Sequence, residues 1–337
     1  MSEFFEGREK TLRVHFMMPI CRSLLDLSKE LWSELLEQTG CTIIGELHQH
    51  QVTAYLLSES SLFIWRDHVI LKTCGTTAPL RILPLLRRQI DWLEGVARFS
   101  YTNGAFLRPH LQPPGYRSEE EVVLQINNTL LGFRKQSFTE HLGSSVLLPD
   151  GSLEYIFLQP NIKTRRARPI VEIKFSKLQV CGKFFSAPDV MAKEKMFSDL
   201  FKEPWRTDSF HFAPCGFSLN ALRPEINELY ATIHVTPEPG FSYVSFETNY
   251  LEELSSQIKK MWSLFCPEEA IITFQFVDTF PCDFDQYDND KNCDNPESIK
   301  KHFSELDFEL RHFKKCFVEN QKVVFYSINL LPTNIHK

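Results

Sequence analysis

Short β-prone runs alternate with helical stretches along this chain, yet no glycine fingerprint joins a strand to a helix. That absence limits the fold more than any other feature. Strand signals dominate the first hundred residues: Thr42 to Leu47, Val52 to Leu57, and Val69 to Lys72, which runs into the turn Thr73-Cys74-Gly75. Pro79 to Leu93 reads as a helix, with Pro79 suited to its first turn and Leu80, Leu83, Leu86 and Ile90 at near-helical spacing. Val96 to Tyr101 is strand-like, and Ser118 before Glu119, Glu120 and Glu121 is a helix start with acids near the positive end of the dipole. The second half repeats the mixture. Strands are expected at Leu153 to Leu158, Ile170 to Phe175, Leu229 to Val235 and Tyr243 to Phe246, and helices at Leu251 to Phe265 and Pro296 to Phe313. A parallel nucleotide-binding sheet needs a glycine-rich strand-to-helix turn. Without one, the fold class is α+β, a layered sandwich. The turns Thr73-Cys74-Gly75 and Pro214-Cys215-Gly216 look alike across the halves and are read as the trace of a duplication, although no repeat has a fixed period.

Bulk properties exclude several functions. The 337 residues fit one large domain or two smaller ones. A net charge of -6 argues against a nucleic-acid backbone as partner. No apolar run is long enough to span a bilayer, and MSEFFEGREK lacks the apolar core of a signal peptide, so a cytosolic location is expected. The sequon Asn127-Asn128-Thr129 is then read as chance. The nine cysteines are odd in number and form no CxxC pair, which indicates free thiols rather than a disulfide framework or zinc knuckle. The acidic stretch Cys282 to Glu297 fails the calcium-loop register, because Cys293 replaces the turn glycine and Ile299 the terminal glutamate. His48-Gln49-His50 is read as a surface pair, and no metal site is expected.

The segment Ser58-Glu59-Ser60-Ser61 carries chemistry of another kind. A backbone can break itself where a hydroxyl lies beside a carbonyl in a strained turn, and Glu59-Ser60 offers that arrangement. Attack by Ser60 on the Glu59 carbonyl turns the amide into an ester. β-Elimination and hydrolysis then leave a pyruvoyl group, a carbonyl cofactor made from the chain itself.

Five ordered motifs give that turn a context: FFEGREK (4–10), YLLSESSLF (55–63), ILKTCGTT (70–77), APCGFSLN (213–220) and TIHVTPEPGFSYVSFETN (232–249). In order and spacing the chain resembles the eukaryotic S-adenosylmethionine decarboxylase proenzymes, most clearly over 4–105 and 208–250. The resemblance implies a single domain over 1–337 with a four-layer α/β/β/α sandwich of two antiparallel sheets related by internal duplication. It implies cleavage at Glu59-Ser60 into a β chain, 1–59, and an α chain, 60–337, with Ser60 becoming the pyruvoyl cofactor and no need for pyridoxal phosphate. His234 is then the base that removes the Ser60 α-proton, and Ser218 the donor to the oxyanion of the acyl shift. The pyruvoyl carbonyl forms a Schiff base with the substrate, S-adenosylmethionine, and Cys74 protonates the α-carbon after decarboxylation. Phe5 and Phe212 stack on the adenine, Glu238 grips the ribose hydroxyls, Glu59 borders the substrate, and Glu6 and Glu9 form an acidic pair supporting processing and catalysis. Taken singly, each of these residues has a bland reading as core or surface.

The same resemblance marks a departure. Animal members bind putrescine in an acidic pocket between the sheets. Two of its positions here hold Glu172 and Glu247, and two others hold Arg13 and Arg168. A diamine needs carboxylates to offset its desolvation. Arginines pairing with Glu172 and Glu247 would stand in for it, so putrescine is not expected to activate this chain. Plant members are likewise putrescine-independent. Family members occur as homodimers of αβ protomers and as monomers, and the sequence leaves both open. Two rival functions fit the residues less well. A poorly active regulatory paralogue would lose Ser60 or its helpers, which are all present. A pyruvoyl enzyme for another amino acid, such as ornithine or arginine, would not need Phe5, Phe212 and Glu238.

Overall fold

The computed structural model describes residues 6–133, 143–148, 150–159, 168–179, 183–186, 190–201, 204–213, 216–224, 228–238, 240–278, 308–318 and 321–332. The first half contributes strands β1 (Lys10–Met17), β2 (Ile43–Gln49), β3 (Val52–Leu57), β4 (Ser60–Ile64), β5 (His68–Thr73), β6 (Gly95–Asn103), β7 (Ser144–Leu147) and β8 (Leu153–Leu158). The second contributes β9 (Ile170–Leu178), β10 (Arg206–Phe212), β11 (Gly216–Leu222), β12 (Tyr230–Thr236), β13 (Tyr243–Thr248), β14 (Pro267–Asp278), β15 (Phe308–Val318) and β16 (Gln321–Pro332). Each set forms one eight-stranded antiparallel sheet. The orders are β2-β3-β4-β5-β1-β6-β8-β7 and β10-β11-β12-β13-β9-β14-β16-β15. Adding eight to every strand of the first order gives the second, so the two halves share one topology.

That correspondence corrects the reading of the two cysteine–glycine turns. Cys74 follows β5, whose counterpart is β13, whereas Pro214 and Cys215, outside the described residues, belong to the chain segment linking β10 to β11, the counterparts of β2 and β3. The two cysteine–glycine pairs therefore fall at different places in the chain order of the repeat and are no trace of it. The equivalent strands that matter are β4 and β12, which carry Ser60 and His234.

Among the described residues six helices cover the outer faces: α1 (Lys29–Glu37), α2 (Ile82–Gln89), α3 (Glu119–Leu131), α4 (Lys183–Ser186), α5 (Val190–Ser198) and α6 (Leu254–Phe265). Ser28 and Ser118 cap α1 and α3 by accepting the N–H of Leu31 and Glu121. One core joins Leu12, Val14, Leu62, Ile64 and Leu71 of the first sheet to Trp32, Leu36, Leu83, Leu86, Val122 and Ile126 of α1 to α3. A second joins Ile173, Phe175, Leu219, Ile233 and Phe246 of the other sheet to Phe197, Ile258, Met261 and Phe265 of α5 and α6. Each such side chain contributes about 1.5–3 kcal/mol by leaving water. Since side chains alternate along a strand, the opposite faces meet between the sheets. There, apart from a small apolar patch with Val52, Ala54, Phe63, Trp65 and Tyr230, the residues are polar or charged. The layer order is therefore helices, sheet, sheet, helices, as the resemblance implied.

Two helix expectations change. The helix read from Pro79 to Leu93 is a 3-10 turn, Pro79–Arg81, followed by α2, which stops at Gln89 because Ile90 turns extended. Of Pro296 to Phe313, residues 296–307 lie outside the described residues and Phe308–Phe313 belongs to strand β15. A register shift between Leu310 and His312 interrupts the period-two pattern there. The resulting spacing of Phe308, Leu310, Phe313 and Phe317 imitates a helix. The acidic stretch 282–297 also falls outside the described residues.

Candidate active site

Leu57 pairs with Ser60 across a two-residue hairpin turn, Ser58-Glu59, between β3 and β4. Ser58 fixes the turn: its N–H donates to Thr42 O at 2.8 Å and its Oγ accepts from Thr42 N at 3.0 Å. Two-residue hairpins want positive φ in the loop, normally on glycine or asparagine. Here the positive φ falls on Ser60, at 137°, a conformation that costs a side-chain-bearing residue about 1–3 kcal/mol. Its Oγ is buried without a hydrogen-bond partner. The Glu59 carbonyl beside it is well bonded: it accepts the Cys74 N–H at 3.0 Å and the Cys74 thiol at 3.3 Å. An uncommitted hydroxyl thus adjoins a polarised carbonyl. Burial, then the charges of Glu59 and Glu9, pushes the Cys74 thiol well above its ordinary pKa, so it keeps its proton at neutral pH.

The N-terminal motif holds this corner together. Lys10 Nζ donates to Gly75 O at 2.8 Å and Gly75 N donates to Glu6 O at 3.2 Å. Gly75 has φ +61°, which suits glycine in that turn. The Glu6 carboxylate accepts the backbone N–H of Leu107 and, at 3.2 Å, of Arg108. Gly7 lies so close to Thr236 that a Cβ would sit 2.4 Å from its side chain. Burial lowers the Lys10 pKa to about 8.

From the other sheet, Ser218 of β11 and His234 of β12 are register partners. His234 Nδ1 is 2.8 Å from Ser218 Oγ, and Nε2 is 2.8 Å from Thr232 Oγ1 and 3.2 Å from Ser61 Oγ. Asn220 Oδ1 accepts from Ser61 Oγ at 2.6 Å and from Thr232 Oγ1 at 3.0 Å, while its Nδ2 donates to Tyr55 O at 3.1 Å. Burial, aided by the positive charge of Lys72, holds the His234 pKa well below 6.5, so the imidazole is neutral at pH 7.

Beside this network the inter-sheet layer is charged. Arg13 donates to Glu247 at 2.6 Å. Lys72 bonds Glu172 and lies 3.1 Å from Glu247 and 3.3 Å from Glu9. Lys174 lies 3.5 Å from Glu172 and 3.7 Å from Asp150. Tyr230 and Ser245 donate to Glu247 and Glu9 at 2.7 and 2.9 Å. Burial raises the carboxyl pKa of Glu247 and Glu172. Arg13 and Lys72 more than offset it for Glu247, as do Lys174, Lys72 and Arg13 for Glu172, so both stay ionised. Glu154, bonded by Thr102, is pushed by burial up to about 7.

Arg168 corrects an expectation. It is exposed, just ahead of β9, and takes no part in this layer. The second cation there is Lys72, with Lys174 beside it. Both sit in apolar strand runs where a lone lysine is itself the signal of a buried partner. Ser61, Asn220 and Thr232 were likewise inside the quoted motifs without a role, because only the approach of the sheets gives them one. Phe212, half-buried at the end of β10, packs edge-on to Phe210 with ring centroids 4.9 Å apart. Glu238 is half-buried in the β12–β13 connection, where its carbonyl accepts Phe241 N. Phe5 lies outside the described residues. His48 is exposed and its Nδ1 lies 3.2 Å from Thr53 Oγ1. Among the described residues, His15, Asp67 and His68 bring ligand atoms within 4.8 Å. The two imidazoles stack at 4.3 Å and 11°, so their in-plane lone pairs run side by side instead of converging, and Arg98 adds positive charge.

Fold and site together define a duplicated two-sheet sandwich in which both halves supply polar residues to the space between the sheets, where Ser61 of one half meets Asn220 and His234 of the other. The family model for adenosylmethionine decarboxylase matches residues 2–328. The S-adenosylmethionine decarboxylase proenzyme of Xenopus laevis is 34% identical over 293 residues, 81% of this chain and 83% of the relative. That of Caenorhabditis elegans is 35% identical over 80% of this chain and 76% of its own length. That of Zea mays is 32% identical over 79% and 70%. The solved Trypanosoma brucei AdoMetDC-delta26 monomer superposes with a TM-score of 0.54 at 19% identity, covering 80% of this chain and 98% of that one, a likeness of fold. The chain belongs to the adenosylmethionine decarboxylase family.

Proposed function

We propose that this chain is a proenzyme that cuts itself between Glu59 and Ser60 and then decarboxylates S-adenosylmethionine, supplying the aminopropyl donor for spermidine and spermine. The observation that carries the reading is the Ser60 hydroxyl, buried, unbonded and held at φ 137° beside a carbonyl that Cys74 polarises. Ser60 Oγ bonds to the Glu59 carbonyl carbon, its proton passes to the Ser60 nitrogen, and the C–N bond breaks to leave an ester. The Cys74 N–H already lies on the oxygen that becomes negative in this step. Ser218 is a second donor once its hydroxyl turns from His234. His234 then takes the Ser60 α-proton. The C–H electron pair forms the Cα–Cβ double bond, the Cβ–Oγ bond breaks, and Glu59 leaves as a carboxylate ending chain 1–59. Water replaces the nitrogen on residue 60, ammonia departs, and chain 60–337 begins with a pyruvoyl group.

Once formed, the pyruvoyl carbonyl supplies the electron sink for loss of carbon dioxide from the substrate. The chain's own part is to hold it and manage protons. The Cys74 thiol, kept protonated by burial, is suited to give a proton to the substrate α-carbon. Phe5, Phe212 and Glu238 are assigned to the adenine and ribose, and Glu6 braces the loop that borders the reacting corner. Arg13 and Lys72 fill the acidic layer between the sheets. They do permanently what a diamine would do, so added putrescine leaves activity unchanged. Several-fold stimulation by putrescine would sink that part. The test of the whole is intact mass of purified protein beside Ser60→Ala. Two chains, the larger blocked by a pyruvoyl at position 60 and absent from the variant, support the reading. One uncut chain in both defeats it.

A further inference from the structure

We infer that Asn220 sets the tautomer of His234, placing the ring proton on Nε2 and leaving Nδ1 as the base. The inference rests on proton counting in the buried cluster. Asn220 Nδ2 donates to Tyr55 O at 3.1 Å, which fixes the amide so that Oδ1 faces the two hydroxyls. Ser61 and Thr232 lie 2.6 and 3.0 Å from that oxygen. Each hydroxyl has one proton, and both are spent on Oδ1. Their oxygens can then only accept from His234 Nε2, at 3.2 and 2.8 Å. Nε2 carries the proton, shared between them. Were Nε2 bare, one hydroxyl would have to turn to it, and one of the contacts to Oδ1 would set two lone pairs against each other.

The consequence lies on the other side of the ring. A buried, neutral imidazole with Nε2–H has its lone pair on Nδ1, where Ser218 Oγ–H sits at 2.8 Å. Ser218 caps the base before the acyl shift and uncaps it on turning to the oxyanion. Asn220, Thr232 and Ser61 are positioning residues. They act through the ring: without Oδ1 the Thr232 hydroxyl donates to Nε2 and the ring proton moves to Nδ1, so the nitrogen beside Ser218 is no longer a base. The role in catalysis rests on the self-cleavage proposed above. The tautomer does not.

The test separates the two. In an uncleavable Ser60→Ala chain with ¹⁵N-labelled histidine, the His234 signals are identified by their loss in the added His234→Ala variant. Nε2 is expected to be protonated and Nδ1 bare. The reverse overturns the inference. Adding Asn220→Ala should switch the proton to Nδ1. Adding Asn220→Asp, whose neutral acid keeps both an acceptor for the hydroxyls and a donor for Tyr55 O, should not. An unchanged tautomer in Asn220→Ala also overturns it. In the Ser60-containing chain, Asn220→Ala should slow pyruvoyl formation about 10²-fold, the scale of a general base, and build up an ester that hydroxylamine cuts at Glu59. Asn220→Asp should restore the rate. Normal pyruvoyl formation in Asn220→Ala refutes the positioning role. If even the unaltered chain never cleaves, the self-cleavage reading falls and the ¹⁵N signals still decide the tautomer.

Discussion

Replacing Arg13 with leucine is expected to destabilise the folded chain by about 3 kcal/mol at pH 7.5, the lower end for breaking a buried ion pair. The structure places the loss near that end. Glu247 is fully buried and loses its 2.6 Å partner, but keeps Lys72 at 3.1 Å and Tyr230 at 2.7 Å. With an unfolding entropy of about 2 cal/mol/K per residue, roughly 0.7 kcal/mol/K for this chain, the midpoint should fall by about 4 °C. The pH dependence identifies the cause. Burial raises the Glu247 pKa, but Arg13, then Lys72, hold it below the usual carboxylate range. In the native chain this pair therefore stabilises fully above the unfolded pKa, about 4.5, and loses that contribution as pH falls through the folded value. Without Arg13, burial wins, Glu247 takes a proton more readily, and the bare charge disappears. The penalty should shrink to less than half on moving from pH 7.5 to about pH 5. Thermal melts of Ser60→Ala chains with and without Arg13→Leu measure this without interference from cleavage. A midpoint change under about 1 °C, or a penalty that is the same at both pH values, would refute the reasoning.

Ser60→Gly should melt above Ser60→Ala by the order of 1 kcal/mol, since glycine tolerates φ 137°, and equal midpoints would mean the turn stores no strain. Because burial holds the His234 pKa well below 6.5, the neutral base persists on acidification, and pyruvoyl formation should stay flat from about pH 8 to pH 6.5. A rate half lost near pH 6.5 would place an ordinary, solvated histidine there. Arg13→Glu should create a response to putrescine, read as a rise in midpoint with millimolar diamine, where the unaltered chain is expected to show none. Phe197→Ala, which removes a ring stacked on Phe217 at 4.4 Å inside the second core, should cost about 3–5 kcal/mol without altering the order of the processing steps.

Much of the local structure was legible in the residues. Ser118 with three following glutamates does start α3, and the runs at 52–57, 96–101, 153–158 and 243–246 are strands, because period and capping are local properties. The failures share a cause. The strand at Phe308–Val318 has its alternation broken by a register shift, so its apolar spacing mimics a helix until β16 pairs with it. Strand β1 went unread because its alternate residues Thr11 and Arg13 look like a solvent face. In the fold they are buried between two sheets.

The site divides in the same way. The candidates for the chemistry are legible in the ordered motifs around Ser60, Cys74, Ser218 and His234, because a motif is a property of neighbouring residues. Which of their neighbours matter emerges when the two sheets pack together. Ser61 and Asn220 stand 159 residues apart, as do the ends of one hydrogen bond. Arg13 and Glu247 are separated by 234 residues. Arg168, chosen by position along the chain, stays in solvent, and Lys72 takes the place between the acids. Charge and hydrogen-bond partners are set by distances of a few ångströms across the two sheets, and no local pattern encodes which strand will lie opposite.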